Sequence, residues 1–147
     1  MAKTKNDDEY LNNLRHSCAH LLAAAVIELY PKAKRTIGPS IENGFYYDFD
    51  DLKISENDLP KIEQKMHDLV KGWKGFERIE LEKNHTLEKY DSSLNNEYKL
   101  ELLSEHQAKG EQITLYKSGS FTDLCRGGHI KNPSKELQNF KLLKIAG

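Results

Sequence analysis

Apolar residues recur at three-and-four spacing early in the chain: Leu11, Leu14, Cys18, Leu21, Leu22, Ala25, Val26 and Leu29. That period predicts an amphipathic helix from about Asp8, capped by Asp7 or Asp8 and stopped at Pro31. The opening MAKTKNDDEY is polar and charged, so residues 1–13 read as an extension or linker remnant and 14–147 as the domain proper. In KRTIGPSIENGFYYDFD the pattern changes to short β-rich segments around turn residues. Gly38-Pro39 is expected in one bend and Asn43-Gly44, a hairpin signal, in the other. A second helix is predicted from about Asp58 to Trp73, with Asn57 or Asp58 as cap, Pro60 in its first turn, and Ile62, Met66, Leu69 and Val70 on one face.

Beyond it, FERIELEK alternates as a strand, and TLEKY and EYKLELLSEH read as short helices around the polar DSSLNNE. EQITLYKSGSFTDLC reads as two strands across Ser118-Gly119, and the closing LQNFKLLKIAG as a last strand. Helices and strands mixed through hairpin-length connections give an α+β fold, a largely antiparallel sheet packed with helices.

At 147 residues there is length for one core without metal or disulfide staples. Cys18 and Cys125 cannot make a disulfide framework, and no signal-peptide pattern follows Met1, so a reducing, cytoplasmic setting is expected. The apolar run LLAAAVIELY is too short to span a bilayer and contains Glu28. A formal net charge of -1 offers little long-range attraction to phosphate, so any nucleic-acid contact must come from local patches or neighbouring domains. PKAKR (Pro31 to Arg35) and the lysines of HIKNPSKELQNFKLLKIAG are the only basic concentrations.

Chemistry enters with RHSCAHLL. Residues four apart on a helix stack one above the other, so His16 and His20 present two imidazoles to a common point while Cys18 turns elsewhere. Alone, such a pair is equally a pair of hydrogen-bonded helix-edge histidines. A second cluster, DLCRGGHI, holds Cys125 and His129 around Arg126-Gly127-Gly128, a glycine pair that predicts a tight loop. Zinc bound by His16, His20, Cys125 and His129 is consistent with this spacing. A hydrolytic zincin is not, because its general base would stand at Ser17. A Cys125 nucleophile activated by an imidazole is the other chemistry left open.

Together, RHSCAHLLAAAVIELYPKAKRTIGPSIENGFYYDFD, DLCRGGHI and FKLLKIAG resemble the editing domain of threonyl-tRNA synthetase, the second of its N-terminal modules, from about Leu14 to Gly147. One departure is Gly128, where that family usually carries proline. The resemblance implies hydrolysis of serine mischarged onto the threonine tRNA, in a pocket that admits seryl and rejects threonyl. It places His16 and Lys99 in that pocket, and their chemistry suggests the catalytic roles. A cation near the ester suits the oxyanion, so Lys99 is expected there. A neutral imidazole suits the attacking water, so His16 is expected to position or deprotonate it. The resemblance places His20, Tyr47, Asp123, Cys125 and His129 as substrate-binding residues, with Asp123 recognising the seryl ammonium or hydroxyl.

The resemblance further implies no cofactor and no metal, although a related module of alanyl-tRNA synthetase holds zinc with the same kind of residue set. Its implied partners are mischarged tRNA and the remaining synthetase domains, with no membrane. Two rivals stand beside it: a zinc-stapled tRNA- or protein-binding module without catalysis, and a freestanding factor that edits in trans.

Overall fold

The computed structural model describes residues 5–38, 40–82 and 85–145. Its backbone is organised around α1 (Lys5–Leu29). From Ser17 to Val26 only Leu22 escapes full burial, so this stretch is enclosed on all sides instead of presenting one apolar stripe. Ala19, Ala23, Ala24 and Ala25 have no bulk beyond Cβ, which lets neighbours pack close to the helix backbone. The helix starts three residues before the sequence pattern suggests. Its first turns are fastened from outside, where the Tyr10 hydroxyl donates to Glu136 Oε1 at 2.8 Å.

Against α1 lies α2 (Leu59–Val70), with Ile62, Met66 and Val70 buried at four-residue steps and Pro60 in the first turn. Its expected cap works differently. The Asp58 carboxylate reaches back to the Ser55 amide at 2.8 Å, closing a capping box around a preceding 3-10 turn, Glu56–Asp58.

The strands form three small antiparallel sheets. β1 (Lys34–Arg35) pairs with β4 (Phe49–Asp50), and β2 (Ser40–Ile41) with β3 (Gly44–Phe45). β5 (Glu77–Glu80), β6 (Thr114–Ser118) and β7 (Phe121–Leu124) form the third, in the order β5-β6-β7. Strands two residues long cannot extend a sheet, so the buried helix α1 is the surface on which the fold is built.

Both hairpin turns sit one residue from their expected places. Ile41 pairs with Gly44, leaving Glu42-Asn43 as the loop, and Ser118 pairs with Phe121, leaving Gly119-Ser120. Gly119 takes φ +58, the left-handed value that the first loop position of such a two-residue turn requires. The bend expected at Gly38-Pro39 includes a position outside the described residues.

Short α3 (Leu87–Tyr90) and longer α4 (Glu97–Ala108) follow β5. Asn96 caps α4 by accepting from the amides of Tyr98 and Lys99, each at 3.0 Å. The closing segment is not the strand that its apolar content suggests. After α5 (Pro133–Glu136) it runs irregularly over α2: Phe140 stacks on His67 at 4.3 Å, and the Leu142 amide donates to Glu63 Oε1 at 2.8 Å. A side-chain carboxylate thus satisfies backbone that would otherwise seek a neighbouring strand. Among the described residues no helix is long and apolar enough to cross a membrane.

Candidate active site

α4 has one buried residue, and it is Lys99. Its ammonium lies 3.0 Å from Asp123 Oδ1 on β7 and donates to the Tyr47 hydroxyl at 2.9 Å; Tyr47 in turn donates to Asp123 Oδ2 at 2.7 Å. Asp123 Oδ1 also accepts from the Leu124 amide at 2.8 Å. Burial alone would push the Asp123 carboxyl up, but Lys99 and Arg35, with help from Tyr47, more than offset it and hold the group well below the usual carboxylate range. Desolvation and the adjacent Asp123 charge push the Tyr47 phenol well up, so it stays a neutral donor.

Beside this triangle the two histidine clusters meet. The His129 ring is stacked between His16, at 4.3 Å, and Phe76, at 4.0 Å. Ser17 Oγ, which accepts the Ile130 amide at 3.1 Å, meets His129 Nδ1 at 2.9 Å, and Cys125 Sγ lies 3.4 Å from His129 Nε2. His16 Nδ1 faces the Gly128 carbonyl at 3.1 Å. A carbonyl can only accept, so Nδ1 carries the proton and Nε2 of the neutral ring is left with its lone pair. Gly128, at φ +86, turns the loop so that this carbonyl is presented to α1.

His20 sits deeper, 3% exposed, edge-on to Phe121 at 4.5 Å, and its Nε2 is buried without a hydrogen-bond partner. Burial lowers the His20 ring to about 3 and the His129 ring to about 2. Burial likewise pushes the Cys125 thiol up to about 12, which argues against a resting thiolate nucleophile.

These groups line a cavity of about 340 Å³, whose wall includes His16, His20, Tyr47, Lys99, Asp123 and Cys125; its outer end is formed by His106, Glu111 and Arg126. His129 stands behind the wall, touching it through Cys125 and His16. The donor atoms of His16, Cys125 and His129 all lie within 4.8 Å of one another, a spacing one metal ion could bridge. His20, the fourth ligand that the sequence spacing offered, is not in that set.

Two features escape a sequence reading. Arg35, counted there within a basic surface patch, is 0% exposed with its guanidinium 3.6 Å from Asp123 Oδ1, and Lys34 beside it is paired with Glu97 at 3.0 Å. PKAKR is therefore less of a cationic surface than its composition suggests: Arg35 is withdrawn, Lys34 is paired, and Lys32 is exposed. In the structure Ala33 and Arg35 are buried and Lys34 between them is only partly covered. Gly38 is the other: a Cβ there would fall inside the Tyr47 ring, so the glycine is required by close approach and not by its φ.

No family model matches the chain. Curated relatives do. The chain is 46% identical over 144 residues to the threonine--tRNA ligase of Desulfatibacillum aliphaticivorans, covering 98% of this chain and 22% of that protein. It is 49% identical over 145 residues to that of Ruthia magnifica subsp. Calyptogena magnifica, with the same coverage of each. With that of Campylobacter jejuni subsp. jejuni serotype O:6 it shares 46% over 143 residues, 97% of this chain and 23% of the relative. The chain thus spans about a fifth of the length of the curated relatives it matches.

Proposed function

We propose, from the premise that nearly all of this chain is the counterpart of one segment of the threonine--tRNA ligases, that residues 14–147 form an editing domain. It hydrolyses the seryl ester mischarged onto threonine tRNA. The observation that carries this reading is the meeting of Lys99, Asp123 and Tyr47 with His16 and His20 around one cavity of about 340 Å³.

The need for such a site is physical. Serine lacks one methyl of threonine, and one methyl discriminates by only ~1–3 kcal/mol, so a synthetic pocket cannot exclude the smaller amino acid. A second pocket can instead exclude the larger one.

In this reading His16 Nε2, freed by the Nδ1 bond to Gly128, takes a proton from water as it attacks the ester carbonyl. The Lys99 ammonium stabilises the oxyanion that forms, and its own charge is held in place by Asp123 and Tyr47. The proton then passes to the leaving ribose oxygen, giving free serine and a tRNA with its terminal hydroxyl restored. His20 Nε2 is a buried polar atom that lacks a partner, which suits it to the seryl hydroxyl. Asp123 has three of its acceptor positions in use, leaving one on Oδ2 for the seryl ammonium. Cys125 and His129 supply bulk against the threonyl methyl. The domain meets its tRNA in the cytoplasm, together with the other synthetase domains or in trans.

Deacylation of seryl- and threonyl-tRNA by the wild-type chain, His16→Ala and Lys99→Ala tests this. Seryl-tRNA is expected to be cleaved in preference, with each variant slower by on the order of 10²-fold or more. Equal cleavage of both esters, or full activity in both variants, would remove the assignment.

A further inference from the structure

Among the described residues, Arg35 is the buried cation that the proposed chemistry leaves without a task. Its guanidinium, 0% exposed, donates from Nη1 to the Thr122 carbonyl at 2.9 Å and from Nη2 to Ser93 Oγ at 2.5 Å. The same fork lies 3.3 Å from Asp91 and 3.6 Å from Asp123 Oδ1, and its flat face covers the Phe121 ring at 4.4 Å. Two buried cations, Arg35 and Lys99, thus face two carboxylates, Asp91 and Asp123. The residue's backbone acts on the other half of the pair: the Arg35 carbonyl accepts from Asn96 Nδ2 at 3.2 Å, and Asn96 caps the first turn of α4 at the amide of Lys99 itself.

We infer that Arg35 is a positioning residue: its guanidinium, anchored on Asp91, Ser93 and Thr122, fixes the Asp123 carboxylate in the orientation that receives Lys99 and Tyr47. The chemistry explains why an arginine is used. A planar fork holds its donors in one rigid plane and can reach two carboxylates and a carbonyl at fixed angles, whereas an ammonium on a flexible stem is a point charge with no such plane. A buried ion pair adds little net stability over a packed apolar side chain of similar volume. What the guanidinium adds is a second fixed cation 3.6 Å from Oδ1, which holds that oxygen where the Lys99 ammonium and the Leu124 amide meet it and so leaves Oδ2 turned to Tyr47. Arg35 touches no ester atom in this scheme, and its effect reaches the reaction only through Asp123 and Lys99.

This inference rests on the hydrolase reading of the same cavity. The experiment is steady-state deacylation of seryl-tRNA by the whole chain, wild type against Arg35→Met and Arg35→Lys, with melting curves for each. Arg35→Met is expected to lose roughly a hundredfold in kcat with KM little changed, as for a reacting group displaced by about an ångström, and Arg35→Lys to fall between it and wild type. Wild-type kcat in Arg35→Met, or a loss confined to melting temperature or to KM, overturns the inference. If Arg35→Met does not fold, Arg35→Lys decides alone: a lower kcat at constant KM supports the role and an unchanged kcat ends it. Should the wild-type chain cleave no seryl-tRNA, the hydrolase reading fails by itself. Arg35 is then judged by a crystal structure of Arg35→Met or Arg35→Lys, in which an Asp123 carboxylate turned away from Tyr47 supports the inference and an unmoved one overturns it.

Discussion

Lys99 and Asp123 form an ion pair 3.0 Å long whose side chains are 2% and 6% exposed, joined by a single phenol, that of Tyr47. Both charges are withdrawn from water, so each depends on the other and on Arg35 for its solvation.

Removing one partner should therefore cost more than removing both. Asp123→Leu leaves Lys99 and Arg35 facing each other with Asp91 as the remaining anion, and is expected to lose ~3–5 kcal/mol. The double variant Lys99→Met, Asp123→Leu should lose clearly less than the sum of the single changes. Urea unfolding of the four proteins measures this, and strict additivity would show that the pair is not coupled.

Gly38→Ala should act on Tyr47 without touching its hydroxyl. The new methyl overlaps the ring, so the phenol must move off Lys99 and Asp123, at a cost of ~1–3 kcal/mol for overpacking. Combining it with Tyr47→Ala should relieve the clash, leaving the double variant no less stable than Tyr47→Ala alone. A further drop in its melting temperature would contradict the contact.

Acid should destabilise the fold through its histidines. Burial keeps His20 neutral down to about 3 and His129 down to about 2, whereas both rings take up protons near pH 6.5 once unfolded. Below that pH the unfolded state binds more protons, so stability falls as pH falls, by up to ~1.4 kcal/mol per unit for each ring. The depressed Asp123 adds loss in the same direction below about pH 4. Denaturant unfolding between pH 7.5 and 4.5 should show a shallower slope for His20→Phe, which keeps the packing on Phe121 and removes the proton site. Identical slopes would mean that His20 is not held neutral.

Protein purified without chelator should carry no stoichiometric zinc. Three donors converge, those of His16, Cys125 and His129, while the fourth expected ligand packs edge-on among Trp73, Phe76 and Phe121. His129 is also already engaged on both ring nitrogens, by Ser17 and Cys125. Elemental analysis checks this; one tightly held zinc per chain would return the histidines to a ligand role.

Periodicity made α1 and α2 legible, because a run of apolar residues at helical spacing leaves few alternatives, and it marked Pro31 and Pro60 as boundaries. It failed for the tail, where Phe140 and Leu142 alternate like a strand but find α2 instead of a sheet edge. The same limit applies to sheet size: alternation announces strands without saying which others they join, and here they join in three small groups.

The seven candidate site residues were nameable in sequence because histidine pairs, a glycine-hinged cysteine and a family resemblance are local patterns that survive without coordinates. Arg35 was not. Whether a cation lies on the surface or beneath it depends on which carboxylates, distant in the chain, arrive beside it, and Asp91 and Asp123 are 56 and 88 positions away. Sequence by itself determined the two long helices near the start, the hairpins to within one residue, and the chemical types available. Only the tertiary structure decided which charges were to be buried together, because the free energy of a buried charge is set by the neighbours it meets and not by those beside it in the chain.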